Sequence, residues 1–127
     1  MEEDLRAYLL TLSAITDLIG QRVYFIKLPQ DTTFPALTIN RISTQRRRSH
    51  GGNSNLTRPR IQLTCFAETY LATKAISTQI VNALESYVGT MGSTQVYDSF
   101  VENELDLYDS ESKIYYLPID VMIRYNG

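Results

Sequence analysis

Near the middle of the chain, apolar and polar residues alternate. Directly after this stretch, the spacing of the apolar residues changes from that of a strand to that of a helix. Ile61, Leu63 and Cys65 are separated by polar residues, which is the pattern of a strand with one buried face. From Tyr70 to Tyr87 the apolar positions recur about every 3.6 residues, as in a helix that buries one side. We therefore predict that a strand at Arg60–Phe66 leads into a long helix, which covers one face of the sheet.

Residues at both ends of this helix match common terminal signals. The hydroxyl of Thr69 is suited to accept a hydrogen bond from the first free N–H groups of a helix, so we predict Thr69 as the N-cap. Glycine often follows a helix C-terminus, so we predict that Gly89 ends the helix.

Two short helices are predicted at the beginning of the chain. Glu2–Leu12 has leucines on one face and acidic residues in its first turn, where the helix dipole favours them. Ser13 is the predicted cap of a second helix, Ala14–Ile19, which Gly20 ends. We expect both helices to pack on the edge of the sheet.

The other strands are predicted from shorter alternating runs. These strands are Val23–Phe25, Ala36–Ser43, Gln95–Tyr108 and Ile114–Tyr125, and a bulge within Gln95–Tyr108 is left open. Leu28–Pro35 is predicted to be a loop because each proline fixes its own φ and disfavours helix at the preceding residue. Thr90–Ser93 and Asp109–Lys113 are predicted turns. Pro118 cannot donate a hydrogen bond to a ladder, so it predicts an edge position or a bulge.

The order of these elements predicts an α+β fold for a single domain of residues 1–127. We expect an antiparallel or mixed β-sheet with the helices packed on one face. The segment Thr44–Thr57 has no hydrophobic period, two adjacent glycines and one large apolar residue. Since structureless loops of this length are uncommon in compact domains, we predict a long projecting β-hairpin loop, basic and flexible, at about residues 44–58.

Composition narrows the class of protein. With 43% hydrophobic and 20% charged residues, the chain is typical of soluble globular proteins, and no apolar run approaches the ~18 residues of a membrane span. The N-terminus lacks the basic region and cleavage site of a secretion signal, so none is expected. The single cysteine excludes an internal disulfide and a cysteine-cluster metal site, and it fits a reducing compartment.

The net charge of -2 is unevenly distributed along the chain. Between Arg41 and Arg60 lie six of the twelve basic residues and no acid, and between Asp98 and Glu111 lie six of the fourteen acids and no base. Two opposite patches on a nearly neutral chain favour binding to copies of itself or to other proteins over binding to nucleic acid. The candidate interaction residues are Arg46, Arg47, Arg48, Arg58, Glu102, Glu104, Asp106, Asp109 and Glu111.

The pleat of a strand predicts how the acidic candidates are arranged. Glu102, Glu104 and Asp106 occupy alternate positions, so we expect them on one face, with Asp109 and Glu111 in the turn that follows. Such a group could bind a hard metal ion, but no other ligand motif accompanies it, and an ordinary charged face is the more common outcome. We therefore expect no metal site and no cofactor.

The sequence contains no constellation that is typical of catalysis. His50 is the only histidine and lies in the predicted loop beside Arg46–Arg48, where catalytic geometry is hard to hold. Cys65 alternates with buried positions and is predicted to be a small buried residue rather than a reactive thiol. Gly51–Gly52 lacks the spacing of a phosphate-binding loop. We predict that the protein is not an enzyme.

The arginine run Arg46–Arg48 has three interpretations that the residues leave open. It is a solvated charged loop, a contact to phosphate groups, or a docking element for an acidic protein surface. Because no aromatic residue is interleaved, any contact with DNA would be to the backbone and sensitive to salt. Tyr115–Tyr116 places one ring on each face of the last strand, so one of the two is a candidate contact residue.

Several short motifs occur in the order and spacing of a known family. These motifs are Gly20–Tyr24, Leu28–Gln30, Phe34–Ile39, Arg60–Ala67 with a helix after it, Asp106–Asp109 and Ile119–Val121. Together they resemble the tail completion family of long-tailed bacteriophages, whose members are also called tail terminator or tail-to-head joining proteins. The similarity extends from the first helix to the last strand.

This resemblance implies a structural virion protein, from a phage or a prophage, without a catalytic motif. It implies a ring, typically a hexamer, that caps the tail tube and joins it to the head–tail connector while genomic DNA passes through the lumen. The implied partners are further copies of the chain, the tail tube protein and the connector or stopper protein, with non-specific DNA contact in the lumen and no membrane. The implied location is the head–tail junction of the virion, after synthesis in the bacterial host cytoplasm.

A ring subunit contacts its neighbours head to tail, so its two sides must differ and match. Our hypothesis is that the basic loop and the acidic strand face meet across subunits or dock on the tail tube. A rival placement puts the arginines at the lumen, against DNA. The alternative functions are another neck protein, of the head-completion or stopper type, and a small DNA-binding protein that contacts the backbone.

Overall fold

The computed structural model describes residues 1–46 and 56–126 of the chain. Within these ranges it has three helices and seven strands. The helices are α1 (Glu2–Leu9), α2 (Ser13–Ile19) and α3 (Tyr70–Leu84). The strands are β1 (Val23–Phe25), β2 (Ala36–Arg46), β3 (Leu56–Ala67), β4 (Gly89–Met91), β5 (Thr94–Glu104), β6 (Leu107–Asp109) and β7 (Ile114–Asn126).

The strands form one mixed sheet in the order β1-β2-β3-β7-β5-β4, and β6 pairs with β7 beyond the end of β5. β1 and β2 run parallel, whereas the other pairs are antiparallel. Leucines and isoleucines of all three helices share one buried cluster with a single face of the sheet. The predicted α+β class, with a mixed sheet and helices on one face, is therefore confirmed.

β3 and β7 lie at the centre of the sheet, and their register determines the core. Leu63 of β3 lies between Ile39 of β2 and Ile119 of β7, and each of these side chains is at most 1% exposed. Ile76 and Ile80 of α3 belong to the same buried cluster. Burying one such side chain stabilises the fold by about 1.5–3 kcal/mol. The apolar residues that alternate along the strands and those that recur along the helix thus pack together in one core.

The two ends of α3 differ in how well the sequence predicts them. Thr69 is the N-cap, as predicted, and its Oγ1 accepts a hydrogen bond from the N–H of Ala72 at 3.2 Å. The prediction that the helix continues to Tyr87 and is ended by Gly89 is wrong, because α3 ends at Leu84.

Two contacts direct the chain away from the helix axis after α3. The carboxylate of Glu85 accepts a hydrogen bond from the N–H of Val101 at 2.9 Å, and the N–H of Ser86 donates to the carbonyl of Ser99 at 2.8 Å. Ser86 adopts a φ of 60° at this point. The residues after the helix are therefore bound to β5, and Gly89 begins β4 instead of ending α3.

The two N-terminal helices are confirmed, but with shifted ends. α1 ends at Leu9, not at Leu12, and α2 begins at Ser13. The chain is already extended at Leu12, which takes the N-cap position without a side-chain hydrogen bond, so the prediction of Ser13 as the cap is wrong. Gly20 ends α2 with a φ of 60°, as predicted.

The predicted strand Gln95–Tyr108 is two strands, because its partner β7 contains a proline. Pro118 was predicted to mark an edge position or a bulge; it lies in β7 at the centre of the sheet, so the first of these alternatives is wrong. Its carbonyl accepts a hydrogen bond from the N–H of Leu105 at 3.1 Å, and its nitrogen, which has no proton to donate, faces the same side. The ladder is interrupted there, since β5 ends at Glu104 and β6 begins at Leu107.

A three-residue strand, β4, replaces part of the turn that was predicted at Thr90–Ser93. It pairs with the start of β5, and the turn between them is centred on Gly92, which has a φ of 59°. A Cβ atom at this glycine would lie 2.5 Å from the Oδ1 of Asp4. The positive φ therefore favours glycine, and any other residue would also have to displace the Asp4 carboxylate.

β2 and β3 pair as far as Arg46 and Thr57, so both strands extend into the segment predicted as a loop. The prediction of a loop from about residue 44 to 58 is wrong at both ends for this reason. The predicted projecting tip, residues 47–55, lies outside the described residues. A shift in register at Ile42 leaves its side chain 48% exposed.

The path of the sheet begins and ends with short strands, since β1 and β4 have three residues each. The carbonyl of Val23 in β1 accepts a hydrogen bond from the Nε of Arg6 at 2.8 Å. On the other side, where β5 extends beyond β4, the backbone of Ser99 and Val101 is bonded to the Glu85–Ser86 turn. These backbone groups at the sheet edges are therefore already hydrogen-bonded within the chain.

Replacing the N-cap of α3, Thr69→Ala, is expected to lower the free energy of unfolding by about 1 kcal/mol, because the N–H of Ala72 loses its acceptor. Urea unfolding measures this change. Thr78→Ala is the matched control, since this exposed hydroxyl bonds to the carbonyl of Lys74 in the same helix; we expect a change below about 0.5 kcal/mol. Equal losses in the two variants would contradict the capping role.

Candidate interaction surfaces

Neither metal binding nor thiol chemistry is supported by the side chains in residues 1–46 and 56–126. No three of their histidine, cysteine, aspartate or glutamate side chains are grouped so that they could hold a metal ion. Cys65 is buried, as predicted, and burial raises the pKa of its thiol, with a smaller contribution from the charge of Glu104. A thiol with a raised pKa is a poor nucleophile. His50 lies outside the described residues.

No helix in these two ranges is long and apolar enough to span a membrane.

The acidic candidates do not share one face, so this prediction is wrong. β5 shifts register against β7 between Val101 and Asn103, where one residue is inserted. Glu102 therefore turns to the face without helices, and its carboxylate pairs with the Nη2 of Arg60 at 2.9 Å. Arg60 also lies 3.7 Å from the carboxylate of Asp120. Charges from β3, β5 and β7 thus form one cluster on that face.

Glu104 and Asp106 lie on the side of α3 instead. The Oε1 of Glu104 accepts a hydrogen bond from the Oγ of Ser77 at 2.9 Å. Asp106 pairs with the Nζ of Lys74 at 3.0 Å and accepts a hydrogen bond from the hydroxyl of Tyr70 at 3.3 Å. The hydrogen bond to Asp106 is the main reason that the pKa of Lys74 is raised. Because this pair is exposed, it contributes little to stability.

Glu111 lies in the turn between β6 and β7, as predicted, whereas Asp109 is the last residue of β6. Asp109 stabilises the turn, because its carboxylate accepts hydrogen bonds from the hydroxyl of Ser112 at 2.8 Å and from the N–H of Glu111 at 3.2 Å. The side chain of Glu111 is exposed. The acidic candidates therefore divide into Glu102 on one face and a second group beside α3 and this turn.

The basic candidates lie at the opposite end of the central strands. Arg46 is the last residue of β2, and Arg58 is partly buried near the start of β3. Arg47 and Arg48 lie outside the described residues. Arg46 and Arg58 are therefore separated by most of the length of β3 from Asp106 and Asp109, whereas Glu102 pairs with Arg60, two residues from Arg58.

Two further arginines of the basic stretch bind carboxylates of the same chain. Arg60 pairs with Glu102, and Arg41 pairs with Glu2 of α1. Arg41 also donates a hydrogen bond to the hydroxyl of Tyr125 at 3.1 Å, which connects α1 to the sheet. These contacts reduce the positive charge that the stretch presents to a partner.

Three tyrosines form a surface cluster where α3, β6 and β7 meet. The ring centroid of Tyr115 lies 4.6 Å from that of Tyr108 and 6.3 Å from that of Tyr70. Tyr70 is 43% exposed and Tyr108 is 50% exposed. The Nζ of Lys74 lies 5.4 Å from the centroid of the Tyr70 ring. We call Tyr70, Tyr108 and Tyr115 the tyrosine cluster.

The doublet Tyr115–Tyr116 is the sequence signal that points to this cluster. Tyr115 belongs to it, whereas Tyr116 stacks on Phe66 with a centroid distance of 6.1 Å. Two clefts of about 160 and 280 Å³ border Tyr108. Sequence reasoning missed the other members because they meet only through the pairing of Tyr108 with Tyr115 and through the start of α3.

A larger groove, of about 520 Å³, lies at the other end of α3 against the N-terminal helices. Its lining includes Leu12, Ala83 and Val88. The rings of Tyr8 and Tyr87 meet there with a centroid distance of 4.8 Å. Burial raises the pKa of Tyr8, and the charge of Tyr87 adds to this effect. Both ends of α3 therefore carry aromatic surface.

Residues 3–126 match the family described as tail completion protein gp17. No curated protein matches the chain. The fold is similar to that of a chain in a solved structure, the virion of a native gene transfer agent particle, with a TM-score of 0.78. The two chains are 12% identical, and the similarity covers 99% of this chain and 91% of the other. At this level of identity the likeness shows a common fold.

Cys65 is expected to react with a disulfide-exchange reagent at least about 100-fold more slowly in the native protein than after unfolding in urea, because the thiol is buried and its pKa is raised. Absorbance of the released thiolate follows the reaction. The matched control introduces an exposed thiol in the turn before β7, Ser110→Cys, which should react at once. Rapid labelling of the native wild-type chain would contradict the burial.

Proposed function

The chain belongs to the tail completion protein gp17 family, and we propose that it acts as a closed ring, a hexamer, that caps the phage tail tube and joins it to the head–tail connector. The chain is a structural protein of the phage virion. The observation that carries the proposal is the family match over residues 3–126, which is nearly the whole chain. The shared fold with a chain of a gene transfer agent virion supports it.

The distribution of charge and aromatic surface also supports a ring. A head-to-tail ring needs two unlike contact surfaces on each subunit. The tyrosine cluster and its neighbouring acids lie where β3 ends and β7 begins, and Arg46 lies where β2 ends, at the far end of the same strands. Unlike surfaces at opposite ends of one subunit suit a contact that repeats around a circle.

In the proposed assembly, one side of the ring meets the tail tube protein and the other meets the connector or stopper protein. DNA passes through the lumen, where any contact is with phosphate groups and independent of sequence. The proposed location in the virion is the head–tail junction, reached after synthesis in the host cytoplasm.

The arginine run supports a second candidate function, a small protein that binds the DNA backbone. Arg46–Arg48 lie in a stretch of sequence without acids. Against this candidate, Arg41 and Arg60 already pair with carboxylates of the same chain. A head-completion or stopper role in the same neck is a further alternative, which differs in where the ring binds.

The full chain is expected to form particles of six times the mass of one chain, either alone or after addition of tail tubes. Native mass spectrometry measures the mass, and electron microscopy of negatively stained particles should reveal sixfold rings seated on the ends of tubes. A chain that stays monomeric under both conditions would contradict the proposal. Binding to the connector without binding to tubes would favour the stopper role.

A gel mobility shift with duplex DNA of random sequence distinguishes the proposed ring protein from the candidate that binds DNA. We expect no retarded band at physiological salt, because Arg41 and Arg60 of the basic stretch already pair with carboxylates of the same chain. Tight binding that weakens steeply with salt would favour the DNA-binding protein instead.

A further inference from the structure

We propose that the tyrosine cluster, together with the carboxylates of Asp106 and Glu111, binds the arginine run Arg46–Arg48 of the neighbouring subunit. This inference rests on the proposed ring, because the partner is a second copy of the chain. It assigns the acidic half of the contact to one surface beside α3 and leaves Glu102, which pairs with Arg60 on the other face, outside it.

This surface has the chemistry that binds guanidinium groups. The side chain of Asp106 is 49% exposed and Tyr108 is 50% exposed, so a carboxylate and an aromatic ring are both accessible. A guanidinium group is planar and can pair with a carboxylate while it stacks on an aromatic ring. The chain itself makes a contact of this kind, because Lys74 pairs with Asp106 and lies over the ring of Tyr70.

The residues around the tyrosine cluster make the surface acidic. The exposed acids are Glu68, Asp106, Asp109 and Glu111, and the nearby cations are Lys74 and Lys113. The arginine run has the opposite character, since no acid occurs between Arg41 and Arg60. Complementary charge of this kind orients two subunits and disfavours other pairings.

The arginine run cannot reach this surface in its own subunit. At one end of β3, Thr57 pairs with Arg46, and at the other end Ala67 pairs with Tyr115. The ten residues from the first pair to the second span about 33 Å. Arg48 is two residues beyond Arg46, which adds at most about 7 Å of backbone, and a side chain adds a similar length. The contact therefore requires a second subunit.

The position of the two surfaces favours a second copy over a tail tube or DNA as the occupant. In a head-to-tail ring, every subunit presents one half of the contact at one end and the other half at the opposite end. The arginine run and the tyrosine cluster are separated in this way along β3. One chain thus supplies both complementary halves.

The test exchanges the charges of the two halves in separate full-length chains. The arginine variant carries Arg46→Glu, Arg47→Glu and Arg48→Glu, and the surface variant carries Asp106→Lys and Glu111→Lys. Each variant alone places like charges at every contact, so we expect ring assembly to need at least about tenfold more protein than the wild type. An equal mixture pairs opposite charges at every contact of an alternating ring. We expect it to assemble at the wild-type concentration, as measured by native mass spectrometry.

A matched control variant carries Glu3→Lys and Asp17→Lys, the same change of charge at exposed acids away from the tyrosine cluster. We expect it to assemble alone and to leave the arginine variant out of its rings. Normal assembly of either charge-reversed variant alone, or no rescue in their mixture, would overturn the inference. Wild-type chains that never form rings, even on tail tubes, would overturn the proposed function instead.

A second measurement does not depend on ring formation. A synthetic peptide of residues 44–50 is titrated into the arginine variant, whose own residues 46–48 no longer compete. We expect saturable binding that weakens as salt is added and that is lost when the receptor chain also carries Tyr108→Ala. Absence of peptide binding would overturn the inference even if wild-type rings form.

Discussion

The register between β3 and β7 is the constraint on which the other features of the subunit depend. It places Leu63 opposite Ile119 in the core that the helices cover. A slip of one residue would turn every core side chain of a strand to the other face. The same pairing sets Ala67 beside Tyr115, so it also determines where the aromatic surface lies relative to the basic end of the strands.

Two local departures from this regular pattern decide which charged groups appear together. Pro118 coincides with the break between β5 and β6, and Asp106, which lies in this break, meets Lys74 of α3. The residue inserted after Val101 sends Glu102 to the opposite face. The acidic surface is therefore defined by interruptions of the ladder, and not by the number of acids in the sequence.

Long regular patterns made much of the fold predictable from the sequence. The alternation of β3 and β7 and the helical period of α3 repeat often enough to identify these elements and the α+β class. Features set by contacts from elsewhere were not predictable. The end of α3 depends on the bond from Val101 to Glu85, and β4 is too short to display alternation. The arginine run is visible in the sequence, whereas its acidic counterpart depends on one inserted residue and on the pairing of Tyr108 with Tyr115.

The sheet edges are short and partly hydrogen-bonded within the chain, which disfavours association of copies through their strands. An exposed strand edge recruits strands from other copies and is a common route to fibres. Here Arg6 occupies the carbonyl of Val23, and the turn after α3 occupies backbone groups of Ser99 and Val101. In the ring that we propose, contacts are thereby directed to side-chain surfaces, which fix an angle between copies and allow the ring to close.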